Sequence, residues 1–153
     1  MSGVEIQIAP ASAETHELMA SWRYPPPYDF YDGDAEPVRN PERFYAALDE
    51  KDQLVGFYYF ESNPPDLDYG LGLRPDLTGQ GLGLEFFCAG LAYAQKHFQP
   101  RRVLLHVADF NKRAVRVYER AGFRLVSSQV RTFDRLGEVE FLTMAKSTDD
   151  VPR

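Results

Sequence analysis

"LRPDLTGQGLGLEFF", Leu73 to Phe87, carries glycines on alternate positions, Gly79, Gly81 and Gly83, and then becomes an apolar run. Glycine lets a backbone take positive φ and lets a ligand come close. Several N–H groups aimed one way at the start of a helix form an anion site. The stretch therefore reads as a cradle for phosphate or pyrophosphate that opens a helix running from about Gly81 to His97. A tight strand-to-helix turn with no ligand would use the same glycines.

Two familiar phosphate motifs fit poorly. A P-loop needs Gly-Lys followed by Ser or Thr, whereas Leu84 follows Gly83. The dinucleotide fingerprint G-x-G-x-x-G follows the first strand of a βαβ unit. Here the spacing is G-x-G-x-G, four expected strands precede it, and Asp109, which could pose as the ribose acid, lies beyond the next strand in a loop.

Working outward, Val4 to Ile8 alternate apolar and polar as a strand does. A helix follows from Ser12 to about Trp22, with Ser12 or Thr15 as N-cap. "RYPPPYDFYDGDAEPVRNPERF" holds five prolines and a glycine, so regular structure is not expected there. Long loops inside compact domains are often functional. Phe44 to Glu61 reads as a β-hairpin turning at "KDQ". "LDYGLGL", ending at Leu73, is a further strand. "RRVLLHV" reads as a buried strand. "NKRAVRVYERAGF" is a short helix with Gly122 as its C-cap. Phe123 to Phe133 and Val139 to Ala145 are two strands around "DRLGE". The order β-α-β-β-β-α-β-α-β-β implies an α+β, or mixed α/β, fold. It predicts a mixed sheet with helices on both faces rather than a doubly wound one.

The chain has 153 residues, the size of one domain, taken as 1–153. It is 44% hydrophobic and 14% aromatic, which argues against disorder. A net charge of −6 with no basic stripe disfavours nucleic acid and suits cationic partners. The single cysteine, Cys88, excludes an internal disulfide and fits a reducing compartment. No signal peptide or run of about 20 apolar residues is visible, so no membrane partner is expected and a cytoplasmic location is. Cys88, among Leu84, Phe87 and Leu91, is expected to be buried packing. His97 and His106 are distant from it in sequence, so no metal spacing is evident.

"LRPDLTGQGLG" resembles the acetyl-CoA-binding motif of the GNAT N-acetyltransferase superfamily, apolar-x-Pro-x-x-Arg/Gln-Gly-x-Gly-apolar-Gly/Ala. Leu73, Pro75, Gly79, Gly81, Leu82 and Gly83 match, and Thr78 replaces the usual Arg or Gln. "ADFNKRAVRVYERAGF" resembles the second motif of that family, with Asn111, Ala114, Tyr118, Gly122 and Phe123 in register. Both motifs stand in order, separated by a strand, and the element order is similar over nearly the whole chain. The proline-rich loop is the weakest part of the match.

The resemblance implies two neighbouring strands that splay apart, with acetyl-CoA between "LDYGLGL" and "RRVLLHV". Its pantetheine arm would pair with the strand edge around Leu71 to Leu73. Its pyrophosphate would rest on the N–H groups of Thr78, Gly79, Gln80, Gly81, Leu82, Gly83 and Leu84. Arg74, Lys112 or Arg113 would replace the charge lost at Thr78, and Asn111 would lie near the CoA arm. By resemblance Tyr118 donates a proton to the departing thiolate, although its spacing with Ala114 and Ala121 also suits core packing. Backbone N–H near Leu73 would polarise the thioester carbonyl. Glu61, Asp66 and Asp68 flank the splayed strand as candidate bases, Asp68 foremost, and each also suits a solvated strand end. Trp22, Tyr24, Tyr28 and Tyr31, with Asp29 and Asp32, would line an acceptor pocket for a cation, or would anchor the loop to the core. The expected activity is transfer of acetyl from acetyl-CoA to a small-molecule or peptide amine, without metal, by a monomer or homodimer. A CoA-binding module without turnover and a dinucleotide oxidoreductase are the competing readings.

Overall fold

The computed structural model describes residues 5–33, 40–133 and 137–148. Seven strands form one sheet: β1 (Gln7–Pro10), β2 (Phe44–Leu48), β3 (Leu54–Asn63), β4 (Asp66–Leu73), β5 (Arg102–Ala108), β6 (Arg124–Phe133) and β7 (Gly137–Ser147). Three helices accompany it: α1 (Ala13–Ala20), α2 (Gly83–Phe98) and α3 (Lys112–Arg120). The strand order is β1-β2-β3-β4-β5-β7-β6. Every neighbouring pair is antiparallel except β4 and β5, which are parallel. The sheet is therefore mixed, as the element order predicts.

The parallel pair is short. β4 and β5 are in register only at Asp66–Arg102, Leu67–Val103 and Asp68–Leu104. β4 continues to Leu73 and β5 to Ala108 without further pairing, so the two strands form a V that closes at Asp68. On its other side β4 stays paired with β3 up to Gly56–Leu73. Arg74 N–H donates to Val55 O at 2.8 Å. Antiparallel pairing alternates, so the even-numbered residues of β4 spend their backbone groups on β3. Tyr69, Leu71 and Leu73 consequently point their N–H and C=O groups into the V.

Helices cover both faces. On one face α2 seats on an aromatic bed of Tyr58, Phe60 and Tyr69, all at most 3% exposed. Tyr58 Oη donates to Phe86 O and Tyr69 Oη to Phe87 O, each at 2.7 Å. These two bonds, each worth about 1 kcal/mol, pin the first turns of α2 to the sheet and so fix its N-terminus beside the V. α3 packs beside α2, with the Tyr118 ring 5.0 Å from Phe87. On the other face lies α1, capped by Ser12, whose Oγ accepts from Thr15 N–H at 3.1 Å. Trp22, just beyond α1, packs on Phe57 at 6.5 Å.

Several expectations shift. The first strand was expected at Val4 to Ile8 and is found at Gln7–Pro10, because its register is set by β2, Gln7 facing Leu48 and Pro10 facing Tyr45. Val4 lies outside the described residues, as do 34–39 of the proline-rich loop and 134–136 of the last turn. α2 begins at Gly83 rather than Gly81, since Gly81 has φ +78°. β5 is buried on one face only: Val103, Leu105 and Val107 are buried while His106 is exposed. Cys88 is exposed rather than buried. It follows Phe86 and Phe87, and these two with Gly90 and Ala94 take the buried face of α2. Gly122 adopts φ +95° just past Ala121, the position of a helix-ending glycine.

Candidate active site

The cradle stands at the open end of the V. A short 3-10 turn, Pro75–Leu77, carries the chain off β4. Gly79 at φ +74° and Gly81 at φ +78° then reverse it into α2. These are left-handed positions that side chains disfavour, and a Cβ on Gly81 would meet nothing within 4 Å. The space over Gly81 is open for a ligand, which is what an anion cradle requires. Gly83 differs: it is the first residue of α2, and its Cβ would only touch Val117 Cγ2 at 3.6 Å. Gln80 reaches back to Asp76 O at 2.6 Å and steadies the turn. Leu82 is the N-cap position, with Leu84 following in the first turn.

The cation at this cradle is Arg113. Thr78 turns its hydroxyl inward, donating to Pro75 O at 2.8 Å. Arg74 is bound to Asp76 at 2.6 Å and to Leu54 O at 2.9 Å. Lys112 pairs with Asp109 at 3.4 Å. Arg113, by contrast, brings Nη1 to 3.2 Å from the place a Gly79 Cβ would occupy. Its guanidinium lies 4.2 Å over the Tyr28 ring. Arg113 also borders an open cavity of about 440 Å³ on α3, together with Arg116, Val117, Glu119 and Arg120. Arg116 and Arg120 were not singled out from the sequence, although Arg113, Arg116 and Arg120 recur at helical spacing. The donor set suits a polyphosphate: open backbone N–H groups at a helix start, with guanidinium charge alongside.

Tyr118 of α3 rests on Phe87, ring centres 5.0 Å apart, and is close to Tyr69 of β4. Burial away from water pushes its phenol above the ordinary tyrosine value, and the nearby Tyr31 raises it further. The hydroxyl therefore keeps its proton at neutral pH. Asn111 caps α3 by accepting from Ala114 N–H at 3.2 Å, and its Nδ2 donates to Tyr31 Oη at 3.3 Å. Burial raises the Tyr31 phenol as well, while its hydrogen bonds to Asn111 and Ala108 pull the other way.

The four loop aromatics separate. Trp22 is core, only 9% exposed. Tyr24 donates its hydroxyl to Leu73 O at 2.6 Å, on the edge of β4 that faces the V. Burial raises its phenol, and Asp32 adds to the effect. Tyr28 covers Arg113, and Tyr31 meets Asn111. Phe30 anchors the turn, its ring 5.0 Å from Phe133, 5.6 Å from Phe110 and 5.8 Å from Phe141. The loop thus crosses from the end of β4 to the start of α3.

Of the three candidate bases, two are held by arginine. Glu61 binds Tyr59 and Arg43, and those bonds keep its carboxyl below the usual range. Asp66 accepts two bonds from Arg102, at 3.1 and 2.8 Å, at the closed end of the V. Asp68 instead faces His106, with Oδ1 3.2 Å from Nε2. His106 Nδ1 lies 3.1 Å from Thr143 Oγ1. Sequence reading set His106 aside as a metal ligand and did not consider Thr143.

Comparison with known proteins identifies the family. Residues 8–124 match the acetyltransferase (GNAT) domain, and the chain belongs to that family. Acetyl-CoA is the acetyl donor of the family. The mycothiol acetyltransferase of Geodermatophilus obscurus is 38% identical over 98 residues, covering 59% of this chain and 31% of that protein. The mycothiol acetyltransferase of Streptomyces coelicolor is 39% identical over 99 residues, covering 62% and 31%. The matched region is thus about a third of the length of these curated relatives. Among solved structures, spermidine N-acetyltransferase from Vibrio cholerae in complex with CoA and spermine superposes with a TM-score of 0.72 at 18% identity, covering 96% of this chain and 98% of that one. A GNAT-family acetyltransferase from Bacillus anthracis gives 0.73 at 16%, covering 97% and 98%. At such identities these structures speak for the fold. Among the described residues no helix is long and apolar enough to cross a membrane, and no three His, Cys, Asp or Glu side chains gather as a metal site.

Proposed function

We propose that the chain, acting as one catalytic domain over residues 1–153, transfers acetyl from acetyl-CoA to a primary amine by direct attack. The observation that carries this reading is the V itself. Pairing between β4 and β5 stops at Asp68–Leu104, so the backbone groups of Leu71 and Leu73 face a gap. The glycine cradle lies at its open end, and Tyr118 is close to Tyr69, the first β4 residue past the last pair. A pantetheine arm is an extended chain with two amides, which can add to the free edge of β4 as a short strand would. Gly79 to Leu84 and Arg113 would receive the pyrophosphate, and Asn111 would border the arm.

The chemistry follows from the positions. The N–H of Leu73 would stabilise charge growing on the thioester oxygen. Tyr118 would protonate the sulfur as it leaves. Asp68 marks the side of the V on which the ammonium would lose its proton. Holding amine and thioester in line supplies much of the rate. Tyr24, Tyr28 and Tyr31 would border the acceptor, with Trp22 behind them as support. Mycothiol and spermidine appear in the names of similar proteins, and for this chain the proposed acceptor is an amine that is protonated in solution. The exposed Cys88 thiol suits the reducing cytoplasm.

Calorimetric titration with acetyl-CoA, followed by a thiol-release assay across a panel of primary amines, tests the reading. Tight binding with amine-dependent CoA release is expected. Binding without release over a broad panel would make the chain a CoA-binding module instead.

A further inference from the structure

The chain is acidic, with a net charge of −6, yet one short helix runs against that balance. α3 carries Lys112, Arg113, Arg116 and Arg120 and a single acid, Glu119. Lys112 is taken by Asp109. The three arginines stand at i, i+3 and i+7 and so form a stripe along one side of the helix, about two turns long. Val117, at i+4, falls within the same stripe. All three arginines are exposed.

Two contacts tie this stripe to the glycine cradle. Arg113 Nη1 comes to 3.2 Å from the place a Gly79 Cβ would take, and Val117 Cγ2 to 3.6 Å from that of Gly83. Both residues border the open cavity of about 440 Å³, with Arg116, Glu119 and Arg120. The cavity therefore adjoins the cradle. From Arg113 the helix leads onward, with Arg116 about 4.5 Å and Arg120 about 10 Å further along the axis at 1.5 Å per residue.

An apolar side chain flanked by guanidinium groups suits a ligand with a flat apolar part and a negative charge. Guanidinium meets phosphate through two parallel hydrogen bonds, a fit that lysine lacks. Acetyl-CoA carries a phosphate monoester on the 3′-oxygen of its ribose, besides the pyrophosphate on the 5′-oxygen. One sugar joins the two groups. A pyrophosphate on the cradle thus leaves the monoester within about two helical turns, 11 Å, of it.

We propose that Arg116 and Arg120 form a separate subsite for the 3′-phosphate of the donor, by which this chain tells acetyl-CoA from its 3′-dephospho form. The inference rests on the acetyltransferase reading above. Arg113 stays with the pyrophosphate, and Val117 supports the nucleoside. Glu119 on the rim repels a bare anion but can accept from a ribose hydroxyl, so the set favours a phosphorylated nucleoside over inorganic phosphate. No bond is made or broken here, and the subsite acts on donor affinity.

Calorimetry with acetyl-CoA and with 3′-dephospho-acetyl-CoA tests the subsite. The wild type is expected to bind acetyl-CoA roughly 10–100-fold more tightly, the range for hydrogen bonds to a charged group. In the double variant Arg116→Gln/Arg120→Gln that preference should fall by about tenfold or more. Its Kd for the dephospho form should stay at the wild-type value, which also reports an intact cradle. Arg101→Gln/Arg124→Gln removes the same two charges from exposed strand positions and should leave the preference as it is. Equal wild-type affinity for the two donors would overturn the subsite. So would equal loss of both donors in Arg116→Gln/Arg120→Gln, or an equal fall in preference in Arg101→Gln/Arg124→Gln, which would make the effect one of overall charge. Failure of the wild type to bind either donor would count against the acetyltransferase reading itself.

Discussion

Gly81 offers a measurement of the cradle in which conformation and sterics separate. Its φ of +78° is left-handed, yet a Cβ there would meet no protein atom within 4 Å. In Gly81→Ala the folded protein has room for the methyl group, and the cost is that of the backbone region. Holding an L-residue in that region costs about 1–2 kcal/mol. The residue is exposed at a loop, so the free chain can relax and turn its N–H groups away. Binding must then restore the left-handed turn and lose the same 1–2 kcal/mol. At 1.4 kcal/mol per tenfold, the Kd for acetyl-CoA should rise roughly 5–30-fold, and more if the methyl group meets the phosphate. Gly83→Ala is the control. That residue is already helical, and its Cβ would sit at an ordinary 3.6 Å from Val117. Alanine there should stabilise the protein by about 0.5–1 kcal/mol. Calorimetry gives the two affinities and thermal melting the two stabilities. Wild-type affinity in Gly81→Ala would refute the reasoning, because the cradle would then not depend on a left-handed turn.

Tyr118→Phe keeps the ring on Phe87 and removes the proton, so turnover should fall roughly 10–100-fold, about the low end for general acid help, with acetyl-CoA affinity unchanged; wild-type turnover with chemistry rate-limiting would leave Tyr118 a packing residue. Gly90→Ala should destabilise the fold by about 1–3 kcal/mol, since its Cβ would overlap the Tyr58 ring and the Tyr69 hydroxyl beneath α2; an unmoved urea midpoint would mean that α2 does not seat there. Tyr59 and Arg43 hold the Glu61 carboxyl below its ordinary value, so its contribution to stability is full above the unfolded pKa near 4.3 and is lost as pH falls through the lowered folded value. Glu61→Gln should therefore flatten the stability profile below about pH 4.3, and an unaltered acid slope in urea melts would show that Glu61 is not linked to folding.

The local signals were legible in the chain because they depend on neighbours in sequence. Gly79 and Gly81 take the positive φ that their alternate spacing suggests. Asn111 caps α3 and Gly122 ends it, both through bonds that reach only a few residues. The hairpin from Phe44 and the order of elements were readable for the same reason. What tertiary structure alone decided concerns partners distant in sequence. A strand's side chains alternate with period two, so a register shift of one residue changes the face of every residue on it. Nothing in "LDYGLGL" or "RRVLLHV" states that pairing ends at Asp68–Leu104, and that ending opens the V. The same register turns Asp68 toward His106, and β7 delivers Thr143 to the other ring nitrogen. Arg113 takes the place at the cradle because α3 packs beside α2, while Arg74 is held by Asp76. Cys88 was misread for a related reason: an apolar run on a helix does not say which residue the sheet leaves outside, and here Phe86 and Phe87 took the buried positions. The cradle was thus written in local backbone chemistry, whereas the V and the side-chain contacts at its closed end exist only once strands far apart in the chain have found their register.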